Sequence, residues 1–140
     1  MIKLYDYELS GNCYKIRLMM SFLGLEHTPE MIDFYPGKQH KSEDFRKINP
    51  LGQLPVIDDD GLILRDAQAI LVYLACKYDT TDKWYPGDDT SMLGQITQWL
   101  AFADEITATS SAARLHDALF YTQIDGDVAR AGAHKLFRIL

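Results

Sequence analysis

The sequence has 140 residues, 47% of them apolar and 24% charged, with a formal net charge of −6; this is the composition of an ordinary globular chain that buries a core without staples. The acidic balance and the lack of a basic stripe argue against a nucleic-acid partner, no apolar run approaches the roughly 20 residues of a membrane span, and no charged-then-apolar leader is visible. Two cysteines, Cys13 and Cys76, are too few for a disulfide framework or a zinc site, so no metal and no membrane are expected and the cytoplasm is the expected address.

Residues 2–7 alternate apolar and polar side chains and read as a first strand that runs into the loop Ser10-Gly11-Asn12. From Tyr14 the period becomes helical: Ile16, Met19, Met20 and Leu23 fall on one face, and Gly24 supplies the stop. Residues 28–34 read as a second strand, and Pro29 points to an edge strand or to an early position in the strand. A polar loop at 35–41 leads through Ser42 into a short helical piece around Phe45 and Ile48. A turn at 49–52, an apolar run after Pro55, a turn-rich 58–61 and a second apolar run at 62–64 predict a hairpin. Asp66 then stands where a helix N-cap belongs, followed on one face by Ala67, Ile70, Leu71, Leu74 and Tyr78. The order is β-α-β-α-β-β-α over residues 1–80.

Residues 79–89 are a turn-rich linker. Helical spacing resumes at Met92 through Ile96, Trp99, Leu100 and Ala103 and is expected to continue toward Leu115. After a second break at 122–126 it returns from Val128 to Leu140, with Ala129, Ala133, Leu136 and Leu140 in step. Nothing in this half reads as a strand, so a domain at 1–80 and an all-helical one at 90–140 are expected.

The run Asn49-Pro50-Leu51-Gly52-Gln53-Leu54-Pro55-Val56, followed by a hairpin and an acidic helix start, resembles the glutathione-binding half of the cytosolic glutathione transferases of theta-like, bacterial type. The resemblance implies an α/β thioredoxin-like N-terminal domain followed by an all-α C-terminal region. The second half is similar to the first two helices of the family's helical domain, which usually continues for several more helices, so 90–140 is expected to be a partial domain. Glutathione as co-substrate, a small electrophile as the other substrate, a detoxification role and a homodimer are likewise what the resemblance implies.

It also assigns roles. The proline, here Pro55, is cis in the family and presents the backbone of the preceding residue, here Leu54, to the cysteinyl part of glutathione. Gln53 and the pair Asp66-Ala67 stand where the family holds the γ-glutamyl end; the family's pair is acidic-serine, so the carboxylate is kept and the hydroxyl lost. Lys38-Gln39-His40-Lys41-Ser42 is the local basic loop in an acidic chain and is similar to the Gln-His-Lys-Ser run of theta-class members, whose His and Lys reach the glycine carboxylate. Charge-assisted bonds of this kind contribute on the order of 1.5–3 kcal/mol each.

The reactive form of a thiol is the thiolate, and the unperturbed thiol titrates near pH 8.5, so the site needs a donor at the sulfur and a positive dipole end nearby. The loop at 10–13 opens a helix and offers that end. Ser10 matches the serine of theta-like members and is the candidate donor, or else a turn and cap residue; Asn12 is a second candidate donor or a loop residue. Cys13 matches the cysteine of beta-class members, at a helix start where thiol pKa values fall, and offers one-cysteine exchange with glutathione, or else a buried structural role. Tyr7 reads as pocket wall or core. Trp99 and Phe102 read as core or as the wall of an electrophile pocket, and the resemblance implies that Asp104 reaches a glutathione site across a dimer interface. Three functions follow: a glutathione transferase acting through Ser10, a non-catalytic binding module of the same fold, or thiol-disulfide exchange at Cys13.

Overall fold

The computed structural model describes residues 1–121 and 124–140, which form two compact units, Met1–Leu93 and Gly94–Leu140. In the first unit, strand β1 (Ile2–Asp6) is followed by helix α1 (Gly11–Phe22), strand β2 (His27–Met31), a 3-10 turn at Gln39–Lys41, helix α2 (Glu43–Ile48), strands β3 (Val56–Asp59) and β4 (Leu62–Arg65) and helix α3 (Ala67–Tyr78). One four-stranded sheet has the order β2-β1-β3-β4, with β1 parallel to β2 and antiparallel to β3. This is the expected thioredoxin-like arrangement, with Pro29 on an edge strand where its missing N–H costs no ladder bond.

Sequence period becomes packing directly. Strand β1 alternates buried and half-buried positions, and Leu4, with no exposed surface, packs with Ile16 and Met20 from α1, Ile57 from β3 and Ile70 and Leu74 from α3. Full burial of each such side chain contributes about 1.5–3 kcal/mol. Two buried carboxylates pin the sheet to its helices. Asp6 accepts from the Arg17 guanidinium of α1. Asp59 accepts from Tyr73 and Tyr78 hydroxyls at 2.7 Å each and from the Lys77 ammonium at 2.6 Å, all on α3.

Two boundaries differ from the sequence reading. Helix α1 begins at Gly11, three residues before the apolar period shows, because Ser10 caps it; its end is where it was read, at Phe22 with Leu23 as the C-cap and Gly24 following with φ +65°. Strand β2 stops at Met31 instead of residue 34, because its partner β1 ends at Asp6, whose carbonyl accepts from Ile32 N–H. The chain then folds on itself: Gly37 N–H donates to the Asp33 carboxylate, Gln39 N–H donates to the Asp33 carbonyl, and Asp33 N–H donates back to the Gln39 side chain. Both Tyr35–Pro36 and Leu54–Pro55 are cis.

Helix α4 (Thr90–Ile106), most of it in the second unit, passes into a π-helical turn (Thr107–Ser111), followed by helix α5 (Ala112–Leu119) and helix α6 (Gly126–Leu136). The helix expected to run unbroken toward Leu115 is interrupted because Thr107 and Thr109 hydroxyls donate back to the carbonyls of Ala103 and Glu105 at 3.0 and 2.7 Å, a side-chain competition with the backbone ladder. Of the break expected at 122–126, residues 122 and 123 lie outside the described residues; Gly126 is already helical, with Asp125 capping α6 through the N–H groups of Asp127 and Val128. Ala129 and Ala133 are buried as their spacing predicts. Leu140 is 72% exposed and lies beyond the helix, which ends at Leu136. No helix among the described residues is long and apolar enough to cross a membrane.

Candidate functional site

Ser10 is the N-cap of α1. Its backbone is extended, and its Oγ accepts the Cys13 N–H at 3.2 Å, while its own N–H donates to the Tyr7 carbonyl at 2.9 Å. The cap bond uses an oxygen lone pair and leaves the hydroxyl proton available to a further acceptor, so capping and donation are compatible in one side chain. The first-turn amides and the positive end of the helix dipole lie at the same place. Asn12, half-buried, is in the first turn.

Cys13 requires a correction. It starts the helix, but its side chain points into the core with no exposed surface, and burial pushes the thiol up to about 11, more than the bonds to Ser10 and the Tyr7 backbone pull it down. A protonated, covered sulfur cannot attack a disulfide. The helix-start argument loses to desolvation, and this position fits the buried structural role that was the other expectation for Cys13. Cys76 is exposed on α3.

The basic loop and the turn before Pro55 are one assembly. Lys41 Nζ donates to the Gly52 carbonyl at 3.0 Å. Asn49, only 1% exposed, holds the turn from inside: its amide donates to the Gln53 carbonyl at 2.8 Å and its oxygen accepts from Leu51 N–H. Gly52 has φ +59°, and a Cβ there would stand 2.6 Å from the His40 carbonyl, so the turn admits no side chain at this point. Gln53 is exposed, Leu54 half-buried and Pro55 buried. The ladder of β3 begins only at Val56, paired with Tyr5, so the backbone of Leu54 precedes it.

His40 also departs from expectation. It is 2% exposed, with its ring stacked on Phe34 at 3.9 Å, and burial, then the charges of Lys41, Arg46 and Lys38, holds its titration down at about 4. At neutral pH it is uncharged, so of the pair His40-Lys41 only Lys41 brings a positive charge. His40 Nδ1 is buried with no hydrogen-bond partner among the described residues.

Asp66 caps α3, with its Oδ1 accepting Gln68 and Ala69 N–H groups at 3.0 Å each, from a backbone at φ +78° that a non-glycine residue rarely adopts. Its carboxylate is exposed, whereas Ala67 is 3% exposed and packs in the core. The sequence reading missed Gln68, which is buried and accepts from Lys15 Nζ at 2.9 Å, tying α1 to the start of α3. It also missed the structural weight of Asn49 and Phe34. A polar residue one step off an apolar helix face was the available signal for Gln68; Asn49 showed only as a turn residue.

In the second unit Trp99 and Phe102 meet edge to face at 5.6 Å and, with Gln98, Ala101, Glu105 and Ile139, line a cavity of about 330 Å³. Trp99 is 51% exposed and so is not a core residue of that unit. No group of three or more His, Cys, Asp or Glu side chains among the described residues could hold a metal ion.

The sequence matches the family model described as glutathione S-transferase, N-terminal domain, over residues 4–82. It is 53% identical over 57 residues to human glutathione S-transferase theta-2, covering 41% of this chain and 23% of that protein. To mouse glutathione S-transferase theta-2 it is 37% identical over 109 residues, covering 77% of this chain and 44% of that one. The chain thus spans less than half the length of these curated relatives. Among solved structures, human glutathione transferase theta-2 in complex with glutathione and an unknown ligand superposes with a TM-score of 0.73 at 33% identity, over 82% of this chain and 47% of that one. A human theta-class transferase with the glutathione conjugate of 1-menaphthyl sulfate gives 0.82 at 28% identity, over 98% and 58%. A match over more than half of its length, with theta-class proteins among the relatives, means that the chain belongs to the glutathione S-transferase family and is theta-like within it.

Proposed function

We propose that the chain binds glutathione and activates its thiol for attack on a small electrophile, as a glutathione transferase. The observation that carries this reading is the family match over residues 4–82, which takes in every candidate from Ser10 to Ala67.

In this reading the Ser10 hydroxyl donates to the glutathione sulfur, whose negative charge is further stabilised by the start of α1, and Asn12 is a second donor. The main chain of Leu54, which precedes the β3 ladder, pairs with the cysteinyl peptide as an added strand would. Lys41 attracts the glycine carboxylate and neutral His40 gives it an uncharged hydrogen bond. Gln53 and the Asp66 carboxylate hold the γ-glutamyl end, since a carboxylate that caps a helix still has acceptor capacity for a ligand ammonium. Ala67 contributes no hydroxyl. Division into domains 1–80 and 90–140, a homodimer, a cytoplasmic address and a role in detoxification belong to the same proposal.

The missing hydroxyl at Ala67 favours a second reading, a glutathione-transferase-like module that binds without catalysing. Glutathione-dependent conjugation of an aryl halide separates the two. Turnover that requires both the protein and glutathione is the expected result; glutathione binding by a folded sample with no turnover would leave the binding module.

A further inference from the structure

We infer that Arg17 is a positioning residue for Ser10: its guanidinium holds the Glu8 carbonyl and so fixes the turn at 7–10 that sets where the Ser10 hydroxyl lies. The inference rests on the transferase reading above, in which Ser10 donates to the glutathione sulfur, and names a residue that this reading does not use.

Ser10 stands outside the helix that it caps. Its backbone is extended, at φ −78° and ψ 121°, so its place depends on what holds the turn before it as well as on the cap. Ser10 N–H closes that turn by donating to the Tyr7 carbonyl at 2.9 Å, and Oγ accepts Cys13 N–H at 3.2 Å. Glu8 and Leu9, between them, are exposed, so the middle of the turn lies at the surface. There Arg17, about two turns along α1 from Ser10, reaches back, and its Nη2 donates to the Glu8 carbonyl at 3.2 Å.

The guanidinium is itself fixed from the other side. Its Nη1 donates to the carboxylate of Asp6, which is 3% exposed at the end of β1. The Asp6 carbonyl in turn accepts Ile32 N–H, just beyond β2. A guanidinium is planar and donates through two nitrogens in a set geometry, so one group refers the exposed turn to the sheet and to α1 at once. The pair with Asp6 is enough to pin α1 to β1. The second bond adds little stability, because water serves an exposed carbonyl nearly as well. What it adds is a fixed turn. A donor to a developing thiolate acts only at hydrogen-bond range, and a misplacement of about 1 Å costs up to about 10²-fold in rate.

The test is a double-mutant cycle. Arg17→Lys keeps a cation for the Asp6 carboxylate without the two-nitrogen fork, and Arg17→Met combined with Asp6→Asn removes the tether and the buried charge together. Each is made in the wild-type chain and in Ser10→Ala; the readouts are kcat, KM for glutathione and the pH–rate profile of aryl-halide conjugation. In the wild-type background both are expected to lower kcat about tenfold, with KM for glutathione within about twofold. The rising limb of the profile moves upward, toward the roughly 8.5 of a free thiol. In Ser10→Ala neither change has a further effect on kcat or on the profile, because no hydroxyl is left to position. An unshifted profile in either folded variant, or the same loss with and without Ser10, overturns the inference and leaves Arg17 a strut between α1 and β1. No glutathione-dependent turnover by the wild type removes the transferase reading and this inference with it, whereas turnover that depends on Ser10 and not on Arg17 removes the inference alone.

Discussion

Replacing Ser10 by Ala is expected to lower kcat/KM for glutathione conjugation by about 10²–10³-fold, the usual loss when one donor to a developing anion is removed. The same change takes away the cap that accepts Cys13 N–H, which costs about 1 kcal/mol of stability. These two effects are separable. An N-cap loss alone lowers the unfolding midpoint and leaves the pH dependence of the rate unchanged. Loss of a thiolate donor moves the rising limb of the pH–rate profile upward, toward the roughly 8.5 of a free thiol. Ser10→Thr, which keeps the hydroxyl, is expected to retain the cap and most of the profile. An unshifted profile and an undiminished rate in Ser10→Ala would remove Ser10 from the chemistry and leave it a cap.

The largest expected effect on stability is at Asp59, away from the site. Its side chain is 1% exposed, and burial alone would raise its titration, but the bonds from Lys77, Tyr73 and Tyr78 outweigh burial and hold it at about 2 instead of 3.8. A carboxylate whose folded value lies below its unfolded one stabilises the fold above the unfolded value, and this contribution is lost as pH falls through the folded value. At pH 7 it amounts to about 2 kcal/mol. Asp59→Asn is therefore expected to lower the unfolding free energy by about that amount at neutral pH. The gap to the wild type narrows as pH falls below 4 and closes toward 2. Denaturant titrations at a series of pH values check this; parallel curves for the two proteins would mean that shape at position 59, and not its charge, matters.

The order of elements in the first unit was legible because each one carries its own period and punctuation. Asp66 read as a cap and is one, and Ser42, through which the loop was read to enter a helix, caps α2. The apolar face of α3 read as buried, and Ile70 and Leu74 have no exposed surface. What local patterns could not supply was the set of contacts between distant segments. Nothing near residue 31 in sequence says that β2 must end where β1 ends. A histidine followed by lysine reads as charge, yet the ring of His40 is buried against Phe34 by a loop closed through Asp33 and Gln39. Cys13 shows the same limit: its place at a helix start is visible in the sequence, and its orientation into the core, which decides its chemistry, is set by packing against residues far away in the chain. The threonines that open the π-helical turn could have been noticed, since Thr107 and Thr109 are placed to bond back to the preceding turn.

The most direct measurement is a calorimetric titration of glutathione into the 140-residue chain and its Asp66→Asn variant. Asparagine caps a helix about as well as aspartate, so the variant is expected to unfold at nearly the same midpoint, while losing the charge that would pair with the ligand ammonium. Saturable binding to the wild type, weakened about tenfold or more in Asp66→Asn, is the expected result. No saturable binding by a folded wild-type sample, or equal binding by both proteins, would contradict it.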